Sequence, residues 1–251
     1  MASPGPKGLA ASAETTLYGS ISTGMRPAGI YSTTTANPPT LTNLAAISTW
    51  KPSAGVYANG NYYLLSVLQM GSMVRASKLE KYDVNTWIAI NSVDPGTNIP
   101  TSLAFNPKDG KTYGCYPTAT NGFELGVLDL DKGTTTTVGA LDQRYVALFA
   151  DNGGKVYGIG LDGNLCQLNL ETAAATVVGA TGVTPSMDVQ DACFDESTNT
   201  VYWFAHTAYE CSLYTVDLTT GAATKVTDFP SYKIRWAGVF AKPAKPVEKP
   251  A

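Results

Sequence analysis

Residues able to do acid–base or nucleophilic chemistry are few in this chain. Asp188 and Asp191 stand close together, and Glu210 follows in a segment that a turn could bring near them. Paired carboxylates, one donating a proton and one ionised, are the equipment of glycoside hydrolysis. Solvated loop acids account for the same three residues as well. The single histidine, His206 in AHTAYE, would have to carry any Ser-His-Asp relay, and no G-x-S-x-G segment accompanies it. Cys115, Cys166, Cys193 and Cys211 lack the two-residue spacing of metal-binding pairs and read as buried thiols, with disulfides the alternative. One histidine and unpaired cysteines do not make a usual zinc set, and no Asp-rich calcium loop is present, so neither metal nor other cofactor is expected. Gly158-Ile159-Gly160, with no helix after it to hold an anion, reads as a hairpin turn.

What remains is the chemistry of recognition. Arg26, Trp50, Arg75, Tyr116, Arg144, Asp188, Tyr209, Tyr232 and Arg235 are the candidate ligand-binding residues, with Met25, Tyr145 and Trp236 beside them. Aromatic faces with guanidinium donors stack on sugar rings and bind their hydroxyls, or anchor a protein partner. Tyr145 and Trp236 read equally as packing wedges, and the arginines as a solvated rim.

The elements that would position these residues follow from composition and repeat. Only 15% of the 251 residues are charged, the net charge is -3, and no Lys/Arg face is clustered, which gives no reason to expect a nucleic acid or anionic membrane partner. No apolar run approaches the roughly 18 residues that cross a bilayer, so no membrane insertion is expected. Residues 1–16 read as a leader or linker. Within it, Ala11-Ser12-Ala13 is plain linker or the remnant of a signal cleavage site.

Small-apolar-aromatic segments end at Tyr57 (AGVYA), Phe105 (SLAFN), Phe149 (VALFA), Phe194 (DACFD) and Phe240 (AGVFA), at separations of 48, 44, 45 and 46 residues. A second series, after a turn, holds Tyr18, Tyr63, Tyr113, Tyr157 and Tyr202. A third series ends in an Asp or Asn turn, as in LEKYDVNT, LGVLDLDKG, LCQLNLETA and LYTVDLTTG, and a Thr-rich strand follows each, the first of these read as TWIAI over 86–90. Asn59-Gly60, Asp109-Gly110, Gly153-Gly154 and Asp162-Gly163 supply hairpin turns that need positive φ. Four strands in a repeat of about 45 residues make a propeller blade.

The ends complete the count. Phe240 supplies an inner strand with no strands after it, whereas Tyr18 to Leu44 supplies three strands lacking an inner one. The chain is therefore expected to be all-β, a five-bladed β-propeller over 17–241 with four antiparallel strands per blade. Pairing of the C-terminal strand with the N-terminal strands would close the ring and remove open sheet edges. Residues 242–251, rich in Pro and Lys, read as a linker to a further domain.

Units such as TNTVYWFAHTAYECSLYTVDLTTGAATKV resemble the propeller repeats of secreted and cell-surface bacterial proteins of adhesin or lectin type. That resemblance implies an extracellular or cell-surface binding or adhesion module, a monomer within a larger chain. It would take a glycan or protein ligand on the loop-rich face around the channel, where inner strands begin and second and third strands are joined. A glycoside hydrolase with carboxylates at the channel mouth, or a structural spacer, are the other readings.

Overall fold

Each repeat forms one antiparallel sheet whose strand ends are set by its turn residues. In the computed structural model, which describes residues 14–22, 28–47, 50–70, 73–231 and 233–242, the first sheet holds β1 (Thr16–Ile21), β2 (Gly29–Thr34) and β3 (Leu41–Ala46). The second holds β4 (Lys51–Ala58), β5 (Asn61–Met70), β6 (Met73–Asp83) and β7 (Ala89–Val93). The third holds β8 (Leu103–Phe105), β9 (Thr112–Pro117), β10 (Phe123–Leu128) and β11 (Thr135–Leu141). The fourth holds β12 (Tyr145–Ala150), β13 (Val156–Gly160), β14 (Asn164–Leu168) and β15 (Ala175–Ala180). The fifth holds β16 (Asp191–Asp195), β17 (Thr200–His206), β18 (Cys211–Val216) and β19 (Ala223–Asp228). The last strand, β20 (Trp236–Ala241), returns to the first sheet as its inner strand, with Tyr18 opposite Phe240 and Ile21 opposite Trp236.

The inner strands touch in one closed circle, β20 to β4, β8, β12, β16 and back to β20. The fold is thus a β-propeller of five four-stranded blades, and no helix occurs among the described residues. Aromatic and aliphatic side chains pack between neighbouring blades, as Phe204, Phe229 and Trp236 do between the fifth and first. Each such side chain, fully buried, contributes about 1.5–3 kcal/mol. All four cysteines are buried free thiols.

The third sequence series owes its regularity to one turn repeated four times. Oδ1 of Asp83, Asp129, Asn169 and Asp217 accepts the backbone N–H groups two and three residues on. The residue four positions on, Trp87, Gly133, Ala173 or Gly221, has positive φ and donates its N–H back to the same residue's carbonyl. This explains one departure from expectation. Trp87 belongs to the turn, with φ 57°, so the strand read as 86–90 begins instead at Ala89. A second departure concerns Gly158-Ile159-Gly160. These residues lie inside β13, and the turn is formed by Leu161 to Gly163.

In every blade the pairing of the third with the outermost strand carries a bulge. The extra residue is apolar each time: Leu44, Ile90, Val138, Val178 and Val226. A bulge bends the strand and raises its twist. Leu44, Val138, Val178 and Val226 thereby reach an interblade core, whereas Ile90 is left exposed.

Candidate functional site

The propeller axis is built in three layers. At the mouth where inner strands begin, the chain places Lys51 as the first residue of β4, Arg144 just before β12, Asp188 three residues before β16 and Arg235 just before β20. Arg235 Nε donates to Asp188 Oδ1 at 2.9 Å, and Arg144 Nη2 donates to the Met187 carbonyl at 2.8 Å. Lys51 Nζ rests on Gln69 Oε1 at 3.3 Å. The hydrogen bond from Arg235, with the charges of Arg235 and Lys51 nearby, holds the Asp188 carboxyl below its ordinary range. Burial lowers the Arg144 guanidinium, whose Nε–H is buried without a hydrogen-bond partner. Three cations from three blades thus flank one carboxylate.

Beneath Asp188, His206 is 3% exposed and its Nδ1 lies 2.9 Å from Ser186 Oγ and 3.6 Å from Asp188 Oδ2. A nucleophilic relay needs serine and carboxylate on opposite ring nitrogens. Here both meet Nδ1, so the three side chains do not form that relay. Gln190 bolts this corner, donating to the Ser186 and His206 carbonyls and accepting from Trp203 Nε1 and His206 N.

The second layer is a buried polar bolt to which every blade contributes. Ser102 Oγ donates to Asp191 Oδ1 at 2.6 Å and accepts the Leu148 N–H at 2.8 Å. The Val239 N–H donates to Asp191 Oδ2 at 3.2 Å. Tyr62 Oη and Ser20 Oγ both donate to the Ala237 carbonyl. Burial outweighs these hydrogen bonds and pushes the Asp191 carboxyl up to about 7. A group that needs its proton near neutrality and is sealed from solvent at 2% exposure is a structural clasp across the axis.

At the opposite mouth the inner strands end around a cavity of about 150 Å³. Tyr57, Phe105, Phe149, Phe194 and Phe240, one from each blade, line it. Leu103, Leu148, Ala192 and Val239, next to the bolt, form its floor.

Of the residues singled out in the sequence, Arg144, Asp188 and Arg235 come together, joined by Lys51, which sequence reasoning missed. Arg26 and Tyr232, with Met25, lie outside the described residues. Trp50 is half-buried with Lys78 Nζ over its ring at 5.0 Å. Arg75 is exposed on β6, and Tyr209, 88% exposed, tips the turn between β17 and β18. Tyr116 is a correction to the expected rim: it is 1% exposed and packs over Gly114 and Gly126, because its strand phase points it between sheets. Tyr145 and Trp236 are likewise fully buried.

The three acids read as hydrolytic candidates are separately engaged: Asp188 by Arg235, Asp191 in the bolt, and Glu210 by Lys225 and Tyr214. Among the described residues no group of three His, Cys, Asp or Glu is placed to hold a metal ion, and no helix is long and apolar enough to cross a membrane.

A signal for the bolt was present in the sequence. Three residues before each inner-strand aromatic stand Ala54, Ser102, Val146, Asp191 and Ala237. The two polar members of that set are the pair that hydrogen-bond across the axis.

No family model matches the chain, and no curated protein matches it. Among solved structures it is similar to a chain of a nidogen/laminin complex, with TM-score 0.56 and 9% identity over 90% of this chain and 97% of that one. It is also similar to a protein of unknown function from Bacteroides thetaiotaomicron, with TM-score 0.50 and 14% identity over 84% of this chain. The present chain spans 50% of the Bacteroides protein's length. Both likenesses are likenesses of fold.

Proposed function

We propose that this propeller is a non-enzymatic binding module of an extracellular or cell-surface protein. It acts as a single copy without cofactor and holds an anionic group of a glycan or protein at the mouth where its inner strands begin. One observation carries this reading: Lys51, Arg144 and Arg235 converge around Asp188 at one mouth of a chain whose net charge is -3. A partly desolvated guanidinium gains most from a carboxylate or sulfate. The commitment of Asp188, Asp191 and Glu210 to separate partners favours binding over hydrolysis. The fold shared with a chain of the nidogen/laminin complex fits a protein ligand.

The test is a screen of uronate-bearing and sulfated glycans and of acidic peptides against wild type and Arg144→Ala. A ligand is expected whose affinity falls about tenfold or more in the variant and weakens with added salt. Binding that ignores both the substitution and the salt would overturn the assignment of this mouth.

A further inference from the structure

The cavity at the other end of the axis has a chemistry opposite to that of the cationic mouth. Its lining includes five aromatic residues, of which Phe149 and Phe240 are buried and stacked on Tyr157 and Tyr57, and Asp195 and Glu196, but no lysine, arginine or histidine. Asp195 is buried, with both oxygens occupied by the turn that follows it: Ser197 N and Oγ on one, Thr198 Oγ1 on the other. Glu196 is exposed at the edge. Its charge is felt by the Tyr57 phenol, which burial and Glu196 together push up. Tyr57 belongs to the second blade and Glu196 to the fifth, two places away around the ring, so this coupling crosses the mouth. Tyr57 and Phe240 stack at 4.8 Å, while Tyr57, Phe105 and Phe194 each keep part of their surface open to solvent.

Aromatic rings present a negative face, and several around one point attract a cation too large and too weakly hydrated to stay in water. Quaternary and methylated ammonium groups are that kind of cation. A bulky anion would meet two carboxylates and no counter-charge, and a drug-sized ligand needs about 300 Å³ or more. A cavity of about 150 Å³ fits one such head group. We propose that this second mouth is a binding site for a methylated ammonium group, seated among the inner-strand aromatics and balanced by the Glu196 carboxylate. It is independent of the anion-binding mouth, from which the Asp191 bolt separates it.

The experiment compares choline with its uncharged isostere 3,3-dimethylbutan-1-ol, at matched ionic strength, by NMR of the full chain. Choline is expected to shift the Phe105 and Phe194 ring resonances and to bind at least about tenfold tighter than the isostere. Phosphocholine and an N-trimethyllysine peptide separate a lipid head group from a protein source. The peptide should bind like choline and phosphocholine more weakly, because its phosphate would face Glu196. Glu196→Gln and Phe194→Leu, each verified as folded by its thermal transition, should each weaken choline roughly fivefold or more. Equal binding of choline and the isostere, parity of phosphocholine with choline, or an absence of shifts at millimolar choline would overturn the proposal.

Discussion

Replacing Asp191 with Asn converts the axial clasp into a group that cannot ionise. In the folded protein Asp191 titrates near 7, against 3.8 for an ordinary aspartate, because burial disfavours its charge more than Ser102 and Val239 stabilise it. Between those values the folded chain holds a proton that the unfolded chain has released, so stability falls as pH rises from about 4 to 7 and is level above. A gap of about three pH units, at about 1.4 kcal/mol each, sets the fall at up to about 4 kcal/mol. Tyr62 and Cys193, which also face the carboxylate, are themselves raised by burial and stay neutral throughout. In the Asn variant, Nδ2 can donate to Ser102 Oγ while Oδ1 accepts from Val239 N. Urea unfolding at intervals from pH 4.5 to 8 should therefore show a steeper downward slope for wild type than for Asp191→Asn, with the variant the more stable at pH 8. Subtracting the two curves cancels His206, which is common to both. Parallel slopes would refute the reasoning, since the cost would then not reside in this carboxyl.

Below about pH 4 both proteins should lose stability together. There Asp83, Asp129, Asp188 and Asp217, each held below its ordinary value by hydrogen bonds to its charged form, become protonated; circular dichroism against pH checks this. Gly60 and Gly221 have nearly the same φ, 78° and 79°, but a Cβ on Gly60 meets open space while one on Gly221 meets the Gly179 carbonyl at 2.5 Å. Gly60→Ala should cost about 1 kcal/mol of backbone strain, and Gly221→Ala about 1–3 kcal/mol more for the contact between the fourth and fifth blades, as measured by denaturant midpoints.

The repeat was legible because its signals are local. Asx turns, positive-φ positions and an aromatic at each inner-strand end recur within about 45 residues, and the unequal ends of the chain demanded the Tyr18–Phe240 pairing that the fold displays. Strand β7 began late because Trp87 adopts a left-handed conformation that glycine holds in two of the other three turns. Within the candidate site, reading stopped at residue type. Tyr116 and Tyr209 look alike as aromatics near turns, yet strand phase sends Tyr116 into the core, whereas Tyr209 tips the turn between β17 and β18 and is 88% exposed.

Blade number, strand order and ring closure were determined by the sequence alone, since alternation and turn chemistry act between near neighbours along the chain. Which side chains meet at the axis was decided only by tertiary structure. Lys51, Arg144, Asp188 and Arg235 come from four blades, as do Ser102, Leu148, Asp191 and Val239. Their distances depend on ring radius, register and bulges that no single blade contains. The two chemically opposite mouths exist only because five wedge-shaped sheets share one axis and a buried carboxylate divides it.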